Sequence, residues 1–138
     1  MDGDGLGHLA LSFAPDQDDM DGALHVEASA GLFSGYAMSW IGNHLLADFA
    51  EGMGTYPLRT EPPVVLHADD ISLTARPVGS LGQIGIDVHL MDQQFEGPAE
   101  VRLTLLTSYQ RLEAFAADVK DLGTGRRGEA RIDWEQLA

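Results

Sequence analysis

The chain contains no cysteine, only one lysine, and no apolar run long enough to span a membrane. Without cysteine, disulfides, thiolate-bound zinc, iron–sulfur clusters and thiol catalysis are all excluded. A membrane helix needs about 20 consecutive apolar residues. A secretory signal needs a basic start, and the chain opens with Met1-Asp2-Gly3-Asp4 instead. The sequence therefore predicts a cytoplasmic protein with no membrane partner.

Positive charge is scarce throughout the chain. The chain has eight Lys and Arg side chains and 22 Asp and Glu side chains, which gives a formal net charge of −14. Such a balance repels phosphate groups, so nucleic acid is excluded as a direct partner. Residues 1–70 carry only one basic side chain, Arg59, whereas residues 71–138 carry the other seven. We expect one strongly acidic side.

Length and composition indicate one folded domain. The 138 residues are 44% hydrophobic and 22% charged, which is typical of a globular protein. Residues 1–7 are rich in glycine and are predicted to be a disordered N-terminus. A single α+β domain is predicted over residues 8–122, and residues 123–138 are expected to form a C-terminal tail or an edge strand.

Alternation of apolar and small or polar residues predicts a series of β-strands, because neighbouring side chains of a strand point to opposite faces. In the third of them, Tyr36, Met38 and Trp40 share one face, and Ala37 and Ser39 share the other. The predicted strands fall near residues 8–14, 24–28, 36–40, 64–67, 71–76, 84–90 and 101–105.

Two segments change to helical spacing. Apolar residues recur at i, i+3, i+4 and i+7 over about Asn43–Met53 and Ser108–Leu122, with Asn43 as the expected N-cap of the first helix and Thr107 or Ser108 as that of the second. The resulting fold class is α+β: an antiparallel sheet of about six to seven strands with two amphipathic helices on one face. The helical stripes superpose at an offset of 66 residues, so two pseudo-repeated βββα halves are an open alternative.

Motifs for catalysis or cofactor binding fail on context. The run Gly123–Gly128 has the G-x-G-x-x-G spacing of a dinucleotide loop, but it follows a helix rather than a strand. Aligning an EF-hand loop on Gln17 puts Ala28 where a bidentate glutamate is required. The five histidines never take the i, i+4 spacing of a helical zinc site. We predict no catalytic residue, no metal site and no cofactor.

Two acidic turns remain as the candidate binding residues. Clustered carboxylates repel one another and favour a cationic partner, and complementary fields raise the rate of association. The alternative is an acidic surface that serves only solubility. The predicted partner-binding residues are Asp16, Asp18, Asp19, Asp21, Asp69 and Asp70.

The order of elements resembles the WapI-type immunity proteins and related uncharacterised bacterial domains. The resemblance covers residues 8–122 and rests on the helix with Leu46 and Phe49, on Glu61-Pro62 before a strand, and on the terminal strand and helix. It implies a non-enzymatic inhibitor that neutralises a toxin by covering its site, with no catalytic residue carried over. We therefore expect a binding protein that neutralises a basic effector or toxin through an acidic face.

Two other functions stay open at this point. One is a small-ligand-binding protein or minor enzyme with a pocket between the sheet and the helices. The other is a structural subunit with an acidic surface. Composition does not indicate an oligomeric state.

Overall fold

The computed structural model of the chain describes residues 7–15, 21–79, 82–92, 99–126 and 128–133. This part of the chain forms eight strands and two helices. In chain order the elements are β1 (Gly7–Pro15), β2 (Asp21–Ala30), β3 (Phe33–Gly42), α1 (Asn43–Met53), β4 (Val64–His67), β5 (Ile71–Val78), β6 (Gln83–Met91), β7 (Glu100–Ser108), α2 (Tyr109–Gly123) and β8 (Ala130–Asp133). The α+β class is confirmed.

The strands form two antiparallel sheets of four, and the prediction of a single sheet of six to seven strands is wrong. The first sheet has the order β3-β2-β1-β8, and the second has the order β4-β5-β6-β7. The difference arises because alternation along a strand depends only on which face is buried. It carries no information about which strands pair.

The two sheets pack face to face around the core. Strand β3 contacts β5, β6 and β7 of the second sheet. A Cβ added to Gly35 of β3 would lie 2.3 Å from Val101 Cγ1, so this glycine lets the two sheets approach closely. The inward residues of β2 are Leu24, Val26 and Ala28, and none of them is exposed to solvent.

Both helices bury their apolar stripes, as the periodicity predicts. Phe49 and Phe115 are each 1% exposed. The helices pack against each other, with α1 against β3 and β4, and α2 against β8, β1, β7 and β6. They therefore contact strands of both sheets, and the expected packing on one face of one sheet is wrong. Neither helix in the described part of the chain is long and apolar enough to cross a membrane.

The start of α1 differs in one detail from the prediction. The N-cap of α1 is Gly42 rather than Asn43, and the Asn43 amide donates instead to the carbonyl of Gly123 at 3.3 Å. At α2 the cap is Ser108, whose hydroxyl accepts from the Arg111 N–H. Asn43 thus ties the start of α1 to the end of α2.

The described chain divides into two segments with the same order of elements, β1 to β4 and β5 to β8, and the last strand of each segment pairs with the first strand of the other. Strand β4 pairs with β5, and β8 pairs with β1. An offset of 66 residues carries the start of α1, Asn43, to the start of α2, Tyr109, and likewise carries Val64 of β4 to Ala130 of β8. The pattern at this offset is βββαβ. That the two halves are repeats stays a prediction.

Candidate functional site

The structure describes three of the six acidic residues predicted to bind a partner. Asp16, Asp18 and Asp19 lie outside the described residues. Asp21 begins β2 and pairs with Gly42, the last residue of β3. Asp69 and Asp70 close the turn between β4 and β5. Asp21 and Asp70 are distant in sequence, but both meet β3 in its C-terminal half.

Hydrogen bonds hold the turn Ala68–Asp70, called here the Asp70 turn, against the inner side of β3. The Asp70 N–H donates to the Ser39 hydroxyl at 3.0 Å, and the Asp70 carbonyl accepts from the Met91 N–H at 2.9 Å. Ser39 is buried. The Oδ1 atom of Asp70 is also buried, with no hydrogen-bond donor among the described residues. Burying a carboxylate oxygen without a donor is costly.

Arginine side chains of the second half are paired with carboxylates of the same half. Arg76 pairs with Asp87 at 2.6 Å, Arg102 with Glu100 at 3.4 Å, and Arg131 with Asp133 at 2.9 Å. Asp21 and the Asp70 turn belong to the half that carries a single basic residue. These three arginine pairs therefore lie within residues 71–138, which carry seven of the eight basic side chains.

Hydrogen bonds on the outer face of the second sheet perturb two carboxyl groups. The Arg76 guanidinium, which donates two hydrogen bonds to Asp87, lowers the pKa of that carboxyl against the opposing effect of burial, and the Thr104 hydroxyl lowers it further. The hydrogen bond from His89 lowers the pKa of Glu100. Both carboxylates are stabilised in their charged form, which is typical of structural ion pairs.

Strand β3 carries an exposed apolar stripe on the outer face of the first sheet. Its members, called here the β3 stripe, are Tyr36, Met38 and Trp40, which are 60%, 47% and 61% exposed. Ala37, Ser39 and Ile41 point inward instead and are buried. Alternation predicts this strand but does not say which face is buried. Ile41 is the one residue of the sequence that indicates the buried face, because it is apolar and lies on the same face as Ala37 and Ser39.

The matching positions of β7 are different in character. The offset of 66 residues carries Tyr36 to Arg102, Met38 to Thr104 and Trp40 to Leu106. Arg102 and Thr104 are polar and exposed, and Thr104 donates to Asp87 at 2.7 Å. Two of these three positions in β7 thus hold polar outward residues, whereas Leu106 is apolar like Trp40. On β3 itself, the Tyr36 hydroxyl contacts the His25 ring.

A hydrogen-bonded group of Ser29, His8 and Glu27, which the sequence did not indicate, lies on the same outer face. The Ser29 hydroxyl is 3.1 Å from His8 Nδ1, and His8 Nε2 is 3.2 Å from Glu27 Oε1. These residue types occur in hydrolase triads. Ser29, however, lies within the ladder, opposite His8 on one side and Ser34 on the other. Backbone N–H groups there lie in the plane of the sheet, so they build no oxyanion site above Ser29.

Metal and ligand sites have little support in the described part of the chain. No group of three or more His, Cys, Asp or Glu side chains among the described residues could hold a metal ion. An open groove of about 460 Å³ runs between α1 and α2. Its lining comprises Ala47, Ala50, Ala116, Ala117 and Gly54, with Asp48, Glu51, Glu113 and Lys120 among them. This groove lies between the helices rather than between the sheet and the helices.

Comparisons with protein-family models, curated proteins and solved structures found no match. The resemblance to WapI-type immunity proteins consequently stays a proposal. The β3 stripe and the acidic residues around the C-terminal half of β3 are distinctive features of the described surface.

Proposed function

We propose that the protein is a non-enzymatic binding module, an immunity-type inhibitor that neutralises a basic effector or toxin in the cytoplasm. The observation that carries the proposal is the β3 stripe on the outer side of the strand, together with Asp21 at the end of β3 and the Asp70 turn on its inner side. Exposed Tyr, Met and Trp side chains are enriched in the cores of protein interfaces, and charged residues are typical of the rims. Polar residues at two of the three matching positions of β7, Arg102 and Thr104, support a binding role for the stripe.

The acidic residues around the C-terminal half of β3 favour a basic partner. Asp21 lies at the end of β3, and Asp69 and Asp70 lie beneath its inner side. A field of one sign steers a partner of the opposite sign over about 8 Å, the Debye length at physiological salt. Steering acts mainly on the association rate. We expect the stripe to set the dissociation rate and the carboxylates to set the association rate.

Affinity capture tests this proposal. The tagged protein is incubated with a lysate of the organism that produces it, and bound proteins are identified by mass spectrometry. The expected result is a basic protein that is retained by the wild type and lost by Tyr36→Ser/Trp40→Ser. The matched control is Val65→Ser, which removes a half-exposed apolar side chain from an edge strand of the other sheet and should leave capture unchanged.

Kinetics with the captured protein separate binding from solubility. Asparagine at positions 16, 18, 19 and 21 should lower the association rate about tenfold. Neutralising Asp48, Glu51, Glu113 and Asp121 on the helices removes the same formal charge and should lower it much less. Equal effects of the two sets would show that only net charge matters. An unchanged rate with greater precipitation would favour an acidic surface that serves solubility.

The small-ligand alternative would use a groove such as the one between α1 and α2. Its small apolar lining and open shape bury little of any bound molecule, whereas ligand sites usually enclose most of the ligand surface. We therefore place the proposed function on β3 rather than on this groove.

A further inference from the structure

Strand β3 has an edge without the features that normally prevent strand pairing. It is ten residues long and contains neither proline nor a charged residue, and among the described strands it pairs only with β2. Native sheets protect such edges with charge, proline, short length or a covering element. Within the described residues, an edge of this length without proline or charge can accept an added strand.

The other three terminal strands each carry one of those features. Strand β4 has four residues, follows Pro62 and Pro63, and is packed against α1. Strand β8 also has four residues, two of them charged, and is packed against α2. Strand β7 is long but carries Glu100 and Arg102. Among the terminal strands in the described part of the chain, β3 alone combines full length with the absence of proline and charge.

The two sides of the β3 edge differ in chemistry. On the outer side lies the apolar β3 stripe, and on the inner side lies the Asp70 turn, tied to Ser39. A strand added to this edge would lie about 4.8 Å from β3, and its side chains would alternate between the two sides. Apolar side chains would then contact the stripe, and the alternate ones would point toward Asp69 and Asp70.

We propose that β3 binds an extended segment of the basic partner as a fifth strand of the first sheet. The segment alternates apolar residues with Lys or Arg, so that its basic residues face the Asp70 turn. This inference rests on the proposed function and specifies how the partner is recognised. A second copy of the chain fits less well, because pairing of two β3 edges would bring two Asp70 turns toward each other.

The probe is a synthetic peptide of alternating valine and lysine, as long as β3. Binding is followed by the fluorescence of Trp40 in a Trp134→Phe background, which leaves Trp40 as the only indole. Two further peptides carry N-methyl groups, one on every valine and the other on every lysine. N–H groups of alternate residues point to opposite edges of a strand, so only one of these two peptides can still pair with β3.

The expected result is that one N-methylated peptide binds like the unmodified peptide, and the other binds at least about tenfold more weakly. Asp69→Asn/Asp70→Asn should weaken binding, whereas Asp48→Asn/Glu51→Gln on α1 should not. Equal binding of both N-methylated peptides, or no binding of the unmodified peptide, would overturn the inference. A dimer in light scattering that Met38→Lys dissociates and Thr104→Lys does not would assign the edge to a second copy and overturn it as well.

These outcomes are separable from those of the proposed function. Capture of a basic protein together with failure of the peptides would leave the inhibitor proposal standing and remove strand addition. Binding of only one of the two N-methylated peptides, without any captured basic protein, would support strand addition to β3 and remove the inhibitor proposal.

Discussion

Replacing Phe115 by alanine tests whether the helices are held by the core. Phe115 is 1% exposed in the apolar stripe of α2. Burying a phenylalanine contributes about 1.5–3 kcal/mol by transfer from water, and deletion of the ring leaves a cavity as well. The free energy of unfolding should therefore fall by about 3–5 kcal/mol. Urea denaturation followed by far-ultraviolet circular dichroism measures this loss, provided that the slope with urea stays constant.

The chain offers a matched control for this substitution. Phe33 has the same side chain but is 69% exposed at the start of β3. Phe33→Ala removes the same atoms without leaving a cavity, so its cost should stay below about 1 kcal/mol. A loss at Phe115 of less than about 1.5 kcal/mol, or no larger than that at Phe33, would show that α2 does not pack as described.

Three further measurements follow from the packing and the charges. Gly52→Ala should destabilise the protein despite the better helix propensity of alanine, because the added Cβ would lie 2.9 Å from Val64 Cγ1. The same substitution should cost little in a Val64→Ala background, and Gly54→Ala should cost little in the wild type. The Arg76 guanidinium holds the pKa of Asp87 below its usual value, so the stability lost in Arg76→Gln should be full above about pH 4 and should vanish as pH falls through the lowered pKa. Thermal midpoints in EDTA and in excess calcium should coincide, and a large rise with calcium would revive a metal site in the acidic turn.

Local features of the fold could be predicted from the sequence. The bounds of α1 and β4 agree with the structure, and Ser108 caps α2 as expected. These features depend on neighbouring residues, through the helical period, the strand period and the capping hydroxyl. Asn43 is the exception, since Gly42 takes the cap and the Asn43 side chain reaches across to Gly123.

Features that depend on distant pairs could not be predicted. Pairing of β8 with β1 joins residues at opposite ends of the described chain, and no local pattern indicates it. The same is true of the contact between Asp70 and Ser39, which brings the second predicted acidic turn to β3. The direction of the β3 stripe also depends on tertiary packing, because either face of that strand could have been buried by its alternation alone.

The pairing of β8 with β1 and of β4 with β5 has a consequence for synthesis on the ribosome. The meander β1-β2-β3 emerges early, but the outer strand that completes its sheet, β8, is translated after every other described element. Until then β1 has an open edge on one side of that sheet and β3 has one on the other, and exposed edges favour aggregation of nascent chains. Long-range pairing of this kind also slows folding. Slow translation or a truncated message should therefore yield aggregated fragments rather than a stable half-protein.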